Sequence, residues 1–194
     1  MTCIVGVIEP KEIHIGADSS VTSGYTKYEL PPDNGKLIVV KKPKMLMGVS
    51  GDIRALQIIR HCFRAPIKTR GEDIPKYLNT KFIGSIRKVF KTEGAIKIIS
   101  SKEYVPMQML VVTTSGIYKV SSDLAVTGVL DRYAAIGSGE EAAIGSLYTS
   151  SLVNSYLSKE LKMPVVDRIE AAIKAASKYC HGVDDNILTM SLKG

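Results

Sequence analysis

Thr2 is the first residue of the chain whose type and position could do chemistry. A hydroxyl is a weak nucleophile unless a base stands beside it, and the α-amine of the same residue can be that base. An α-amine has a pKa of roughly 7.7–8.0, so much of it is neutral near pH 8. The arrangement requires removal of Met1, which the small side chain of Thr2 permits. On its own a Met-Thr start says little, because an ordinary first strand can begin this way.

Four further groups bear on the same chemistry. Asp18, in Gly16-Ala-Asp-Ser-Ser20, ends a strand one hairpin away from Thr2, so its carboxylate could point back at the hydroxyl; it could equally be a turn or cap residue. Lys36 leads Lys36-Leu-Ile-Val-Val40, and a buried lysine paired with a carboxylate can lower a neighbouring hydroxyl pKa and assist proton transfer. Met47-Gly48-Val-Ser-Gly51-Asp52 is a strand-to-helix junction whose free N–H groups suit an oxyanion. It invites comparison with the Gly-x-Ser-x-Gly elbow of serine hydrolases, but Asp52 stands where the last glycine is needed. Ala135-Ile-Gly137-Ser-Gly139-Glu-Glu-Ala142 approximates a dinucleotide fingerprint. The element after it is a second helix instead of a parallel strand, and Glu140 and Glu141 would face the pyrophosphate at the helix N-terminus.

Other reactive side chains fit less well. His14, His61 and His181 accompany no serine or cysteine motif, and His14 is expected on the outer face of its strand. Cys3 could attack only if Thr2 were removed as well. Cys3, Cys62 and Cys180 have unrelated spacings, against a disulfide framework and against a zinc site.

The elements that must position these residues follow from periodicity. Thr2–Ile8 and Ile13–Ala17 alternate about the turn Glu9-Pro10-Lys11-Glu12, so the chain opens on a β-hairpin. Gly24–Gly35 reads as a loop, and Lys36–Lys41 and Lys44–Val49 as strands split by Pro43. Helices are expected over Ile53–Phe63, with Asp52 as N-cap, and from Ile74-Pro75 to Gly94, where Leu78, Phe82, Ile86, Val89 and Phe90 form one stripe. Strands resume weakly at Ala95–Ile99, then at Met107–Thr113, Ile117–Val120 and Tyr133–Ile136. Helices over Glu140–Tyr156 and Pro164–Tyr179 precede a closing strand, Ile187–Ser191. Strands joined by hairpins, with helices arriving in pairs, call for stacked sheets covered by helical layers.

Composition bounds the rest. The chain has 194 residues, of which 45% are apolar and 23% charged, as in ordinary globular proteins. A single domain over 1–194 is expected, with no repeat or linker. No apolar run approaches the ~20 residues of a membrane span, and the start lacks a signal peptide, so a cytoplasmic address is expected. The net charge of +7 raises nucleic acid as a ligand, but the lysines and arginines are interleaved with apolar residues as on a solvated face. Neither nucleic acid nor membrane is expected as a partner.

Together, Thr2-Cys-Ile-Val-Gly6, Ile15-Gly-Ala-Asp-Ser19, Lys36, Gly48-x-x-Gly-Asp52, Leu110-Val-Val-Thr-Thr114 and Ala135-Ile-Gly-Ser-Gly139 resemble proteasome-type β-subunits, in order over nearly the whole chain. The spacing of 12 from Lys36 to Gly48, and the end of the last helix, Ala175-Ala-Ser-Lys-Tyr-Cys180 before Asp185-Asn186, are similar to the bacterial heat-shock-locus V (HslV) branch. The resemblance implies an α+β, four-layer αββα sandwich of two antiparallel sheets, the N-terminal-nucleophile (Ntn) hydrolase fold. It implies a threonine endopeptidase in which Thr2 attacks and its own amine shuttles the proton. Asp18 and Lys36 would tune the hydroxyl, the Gly48 N–H would face the oxyanion, and Ser138 would hold the amine or a bridging water. It further implies a homo-oligomeric ring, as a double ring, acting on unfolded polypeptides supplied by an AAA+ unfoldase, with ATP used only by that partner and no cofactor in the chain itself.

Three features depart from the family pattern. Two additional residues lie between Asp18 and Lys36, altering Ser23–Gly35, and Glu140-Glu141 stand where small residues are usual. Of the positions that can carry a cation on backbone carbonyls, Ser177, Cys180 and Val183, only Cys180 matches in identity, so no metal is expected. Two other readings share the fold: a non-catalytic ring subunit, and an amidase acting on a small molecule.

Overall fold

A computed structural model describes residues 1–193. The β-branched opening forms β1 (Ile4–Ile8), which turns into β2 (Glu12–Asp18) and pairs with it antiparallel, leaving Thr2 just ahead of the sheet. β12 (Tyr133–Ile136) flanks β1 and β13 (Ile187–Lys193) flanks β2, so the first sheet runs β12-β1-β2-β13. The second sheet contains β5 (Leu37–Val40), β6 (Met45–Gly51), β9 (Met107–Thr113), β10 (Gly116–Val120) and β11 (Val126–Gly128), in the order β11-β10-β9-β6-β5. All the pairings in both sheets are antiparallel.

Alternation along the strands sorts side chains into three apolar layers. Ile4, Ile13, Ile15 and Ala17 meet Leu37, Leu46, Leu110, Val112 and Ile117 between the sheets. Val5 and Val7, on the opposite face of β1, pack with Ala143 and Leu147 of α4 (Glu140–Tyr156) and with Ile169, Ala172, Ile173 and Ala176 of α5 (Val165–Tyr179). Met45, Met47, Val49, Met109 and Val111 cover the far side of the second sheet and pack under the remaining helices. The result is an αββα sandwich.

Those helices are α1 (Ile53–Gln57), continued by a wider turn over Ile58–Cys62, and α2 (Ile74–Tyr77), which passes through a similar turn, Leu78–Phe82, into α3 (Ile83–Thr92). Asp73 caps α2 by accepting from the Lys76 N–H at 3.2 Å, and Pro75 sits in the first turn, where its missing N–H costs nothing. Asp52 occupies the N-cap of α1, but its carboxylate makes no capping bond. The expected stripe is present: Leu78, Phe82, Ile86 and Phe90 are fully buried. Helix α5 lies so close on β2 that a Cβ on Gly16 would sit 2.3 Å from Ile169 Cγ2, so this contact requires glycine.

Two expectations are corrected and one is narrowed. The segment read as a loop, Gly24–Gly35, contains most of a hairpin of β3 (Ser20–Ser23) and β4 (Thr26–Glu29) that turns at Gly24, followed by a short 3-10 turn, Pro32–Asn34. Every residue of β4 is exposed, so no apolar alternation marks it in the sequence. The weak strand near Ala95–Ile99 is β7 (Lys97–Ile99), and it pairs with an unforeseen β8 (Lys102–Tyr104). His14 lies on the face of β2 shared with Gly16, against the helical layer; it is buried, with Nε2 3.2 Å from Glu12 Oε1. Among the described residues no helix is long and apolar enough to cross a membrane.

Candidate active site

Thr2 is 6% exposed and is held by the turn that follows β12. That turn bends at Gly137, whose φ of +96° and close approach to the Thr2 carbonyl exclude a side chain. The bend brings the Ser138 hydroxyl 3.1 Å from the Thr2 N–H, the nitrogen that becomes the α-amine once Met1 is gone. The Gly139 N–H donates to the Thr2 carbonyl at 3.2 Å, so backbone and side chain both fix the residue. Glu140, unusual at this place, pairs with Lys119 of β10.

Beneath Thr2 lies a buried ion pair. Lys36 Nζ is 2.8 Å from Asp18 Oδ1, and the two side chains are 3% and 0% exposed. Asp18 Oδ1 also accepts the Cys3 N–H at 2.8 Å, while Oδ2 accepts the Ser20 hydroxyl at 2.6 Å, so the carboxylate is stabilised on both oxygens. Burial pushes the Lys36 ammonium below its ordinary pKa, and Asp18 opposes that shift. A second carboxylate, Asp184, is buried nearby, accepting the Ser19 N–H and hydroxyl, each at 3.0 Å, and it too favours the charged form of Lys36. Asp184 and Ser20 escaped sequence reasoning. Asp184 lies beyond α5 with no motif around it, while Ser20 sits two residues after Asp18, on a strand that was not foreseen.

The nucleophile and the lysine converge on one atom. Thr2 Oγ1 donates to the Met1 carbonyl oxygen at 2.7 Å, and Lys36 Nζ lies 3.3 Å from the same oxygen. A carbonyl next to Thr2 therefore falls within reach of both a hydroxyl and a cation. The Met1 amine is turned away and donates to Thr22 Oγ1 at 3.0 Å. These groups open into a cleft of about 520 Å³ lined by Thr2, Ser20–Ser23, Lys36, Val49, Gly51–Arg54 and Leu56.

The structure places Gly48 elsewhere. It sits in mid-strand opposite Leu37 and Leu110, and a Cβ there would strike Ile4 and Ile15 between the sheets. Val49 directs its N–H to the Lys36 carbonyl on the β5 side, at 3.0 Å, so its neighbour Gly48 directs its own to Leu110 on β9. That N–H belongs to the ladder and is not free for an oxyanion. Gly51, three residues on, faces the β5 side beyond the point where β5 begins, and it lines the cleft with Thr2. Its φ of +130°, with Pro106 O 2.4 Å from an added Cβ, demands glycine. The signal was present in the sequence as the last residue before Asp52, but spacing from Lys36 pointed to the earlier glycine.

The remaining candidates stay apart from this chemistry. Burial, and secondarily the Asp18 charge, push the Cys3 thiol up to about 12, so it stays protonated and unreactive. Cys180 lies near the turn, its Sγ 3.4 Å from the Ser138 carbonyl, and its own carbonyl already accepts the Val183 N–H. Among the described residues no group of three or more His, Cys, Asp or Glu is placed to hold a metal.

No family model matches the chain, and no curated protein does. Solved structures are similar over its full length. BPH of Thiobacillus denitrificans is 17% identical, with 99% of this chain and 98% of that chain covered and a TM-score of 0.78; a second structure of it, in complex with epoxomicin, gives 15% and 0.76. Eukaryotic HslV from Trypanosoma brucei is 13% identical, with both chains wholly covered and a TM-score of 0.64. Anbu, an ancestral beta-subunit, from Yersinia bercovieri is 12% identical, with 99% of this chain and 82% of that chain covered and a TM-score of 0.64. The fold of this chain is that of the proteasome β-subunit and HslV type of Ntn hydrolase.

Proposed function

We propose that the chain is an N-terminal-nucleophile threonine peptidase, active once the bond before Thr2 is cut. The observation that carries this reading is the convergence of Thr2 Oγ1 and Lys36 Nζ on one carbonyl oxygen, above the buried Asp18 pair. In the reaction Thr2 Oγ forms a bond to the scissile carbonyl and passes its proton to the α-amine, held by Ser138. The Lys36 ammonium favours the developing alkoxide, and the Gly51 N–H stabilises the oxyanion. The amine returns the proton to the departing nitrogen, leaving an ester that water hydrolyses by the same route. Removing a single oxyanion donor in such a site costs ~10²–10³ in rate.

Thr2→Ala, produced with the residues before it removed, should abolish hydrolysis of fluorogenic peptides that the parent cleaves. Epoxomicin, seen in complex with BPH, serves as a probe: the parent should gain its mass and Thr2→Ala should not. Undiminished hydrolysis by Thr2→Ala would sink the mechanism. Turnover of small amides but not of peptides would select the small-molecule amidase instead.

The second reading, a non-catalytic ring subunit, applies to a chain that keeps Met1, because its Thr2 nitrogen is then an amide and supplies no base. Intact mass separates the two, because a protein that retains Met1 cannot work by this route.

The same proposal includes assembly of the chain with itself into a closed double ring. Support comes from exposed Tyr148, Leu152 and Tyr156, spaced along one face of α4, and from Tyr179 at the end of α5, an apolar surface of the kind that marks contacts. We extend the proposal to unfolded polypeptides as substrates and to an ATP-driven unfoldase of the AAA+ class as partner, in a cytoplasmic setting.

A further inference from the structure

We infer that Arg60 is a positioning residue for Lys36, acting from outside the cleft; the inference rests on the threonine-peptidase reading. Arg60 lies in the wide turn Ile58–Cys62 and does not line the Thr2 cleft. Its guanidinium reaches across to the segment that leads into β5. Nη1 donates to the Asp33 carbonyl at 2.9 Å, and Nη2 donates to the carbonyls of Gly35 and of Leu37, the latter at 3.1 Å. Gly35 and Leu37 are the two neighbours of Lys36, so one rigid, planar group fixes the backbone on both sides of the lysine.

The segment needs such a clamp. Between Leu30 and Lys36 it is a proline turn followed by Gly35, with no strand ladder until Leu37. The Lys36 carbonyl is tied to the Val49 N–H, and the carbonyls on either side of it, of Gly35 and Leu37, are held by Arg60. The direction in which the side chain leaves matters because Lys36 Nζ must meet Asp18 Oδ1 at 2.8 Å while remaining within reach of a carbonyl bound at Thr2. The guanidinium is poorly explained as a stabilising device alone, since its Nε hydrogen is buried with no acceptor among the described residues. Its three other contacts all fall on the carbonyls around Lys36.

The test compares Arg60→Met and Arg60→Lys with the parent, each freed of Met1, by peptide kinetics and by crystal structure. A displacement of about 1 Å in a reacting group can cost ~10²-fold, so kcat of Arg60→Met should fall by about 10- to 100-fold with KM unchanged within about twofold. The Lys36–Asp18 pair should lengthen in its structure. Arg60→Lys, which keeps one donor, should give a smaller loss and serves alone if Arg60→Met does not fold. An unchanged kcat, an equal change in KM, or an ion pair still at its parental distance overturns the inference. If the parent shows no turnover that depends on Thr2, the peptidase reading falls, and the position of Lys36 in the variant structures decides the role of Arg60.

Discussion

The Lys36 ammonium is charged in a place that does not favour charge, and the site depends on that tension. Burial holds its pKa below the ordinary lysine value, and Asp18 is the main group opposing the shift. The linkage sign follows. The unfolded chain binds the lysine proton more tightly than the fold does, so stability gains from this group as pH rises from the folded pKa towards the ordinary value of about 10.4. Activity runs the other way on that limb, because the alkoxide needs the ammonium. On the peptidase reading it should rise as the Thr2 α-amine loses its proton and fall as Lys36 deprotonates. Asp18→Asn should therefore move the alkaline limb of kcat to lower pH and reduce its maximum. An alkaline limb that stays in place would show that Lys36 is not the group being titrated. The residual acid-side rise should persist in the variant, since it belongs to Thr2.

At the scale of elements, α2 and α3 act as the lid of one hydrophobic layer, and Phe82 stands at the junction between them. It is fully buried, with its ring centroid 5.4 Å from that of Phe63 in an edge-to-face contact. Phe82→Ala should cost about 3–5 kcal/mol, read as a drop in chemical-denaturation midpoint at unchanged slope. A loss below about 1 kcal/mol would mean that the layer closes over the gap. This stripe was legible in the sequence because a helix buried on one face repeats its apolar residues every three or four positions. The first hairpin was legible for the analogous reason in strands. The β3–β4 hairpin was not, since its second strand buries nothing and is held by backbone pairing alone. The site divides in the same way. Thr2, Asp18, Lys36 and Ser138 were legible only as a set that resembles the proteasome-type pattern, since each alone suits an ordinary strand, turn or solvated position, and the fold brings them together. Gly51 and Asp184 required three dimensions: which way an N–H points depends on ladder parity, and Asp184 reaches Ser19 across 165 positions of sequence.

At the scale of the whole molecule, the α4–α5 layer carries an apolar groove of about 600 Å³ that runs between Val153, Leu157, Leu161, Met163 and Tyr179. If this face joins copies of the chain, Leu152→Asp should lower the mass measured by light scattering while leaving the circular dichroism spectrum intact. Unchanged mass would place the contact elsewhere. Enclosure of the Thr2 side chain has a different consequence, which concerns timing. Met1 is half exposed, but Thr2 beside it is sealed under the Ser138 turn, and the Met1 amine is tied to Thr22. In a chain that folds with Met1 in place, the buried Thr2 therefore restricts access of an aminopeptidase to the bond between them. On the peptidase reading Met1 must then be removed during synthesis, before β1 docks. Incubating folded protein that retains Met1 with methionine aminopeptidase should leave its mass unchanged, whereas the same enzyme supplied during expression should raise the share that lacks Met1.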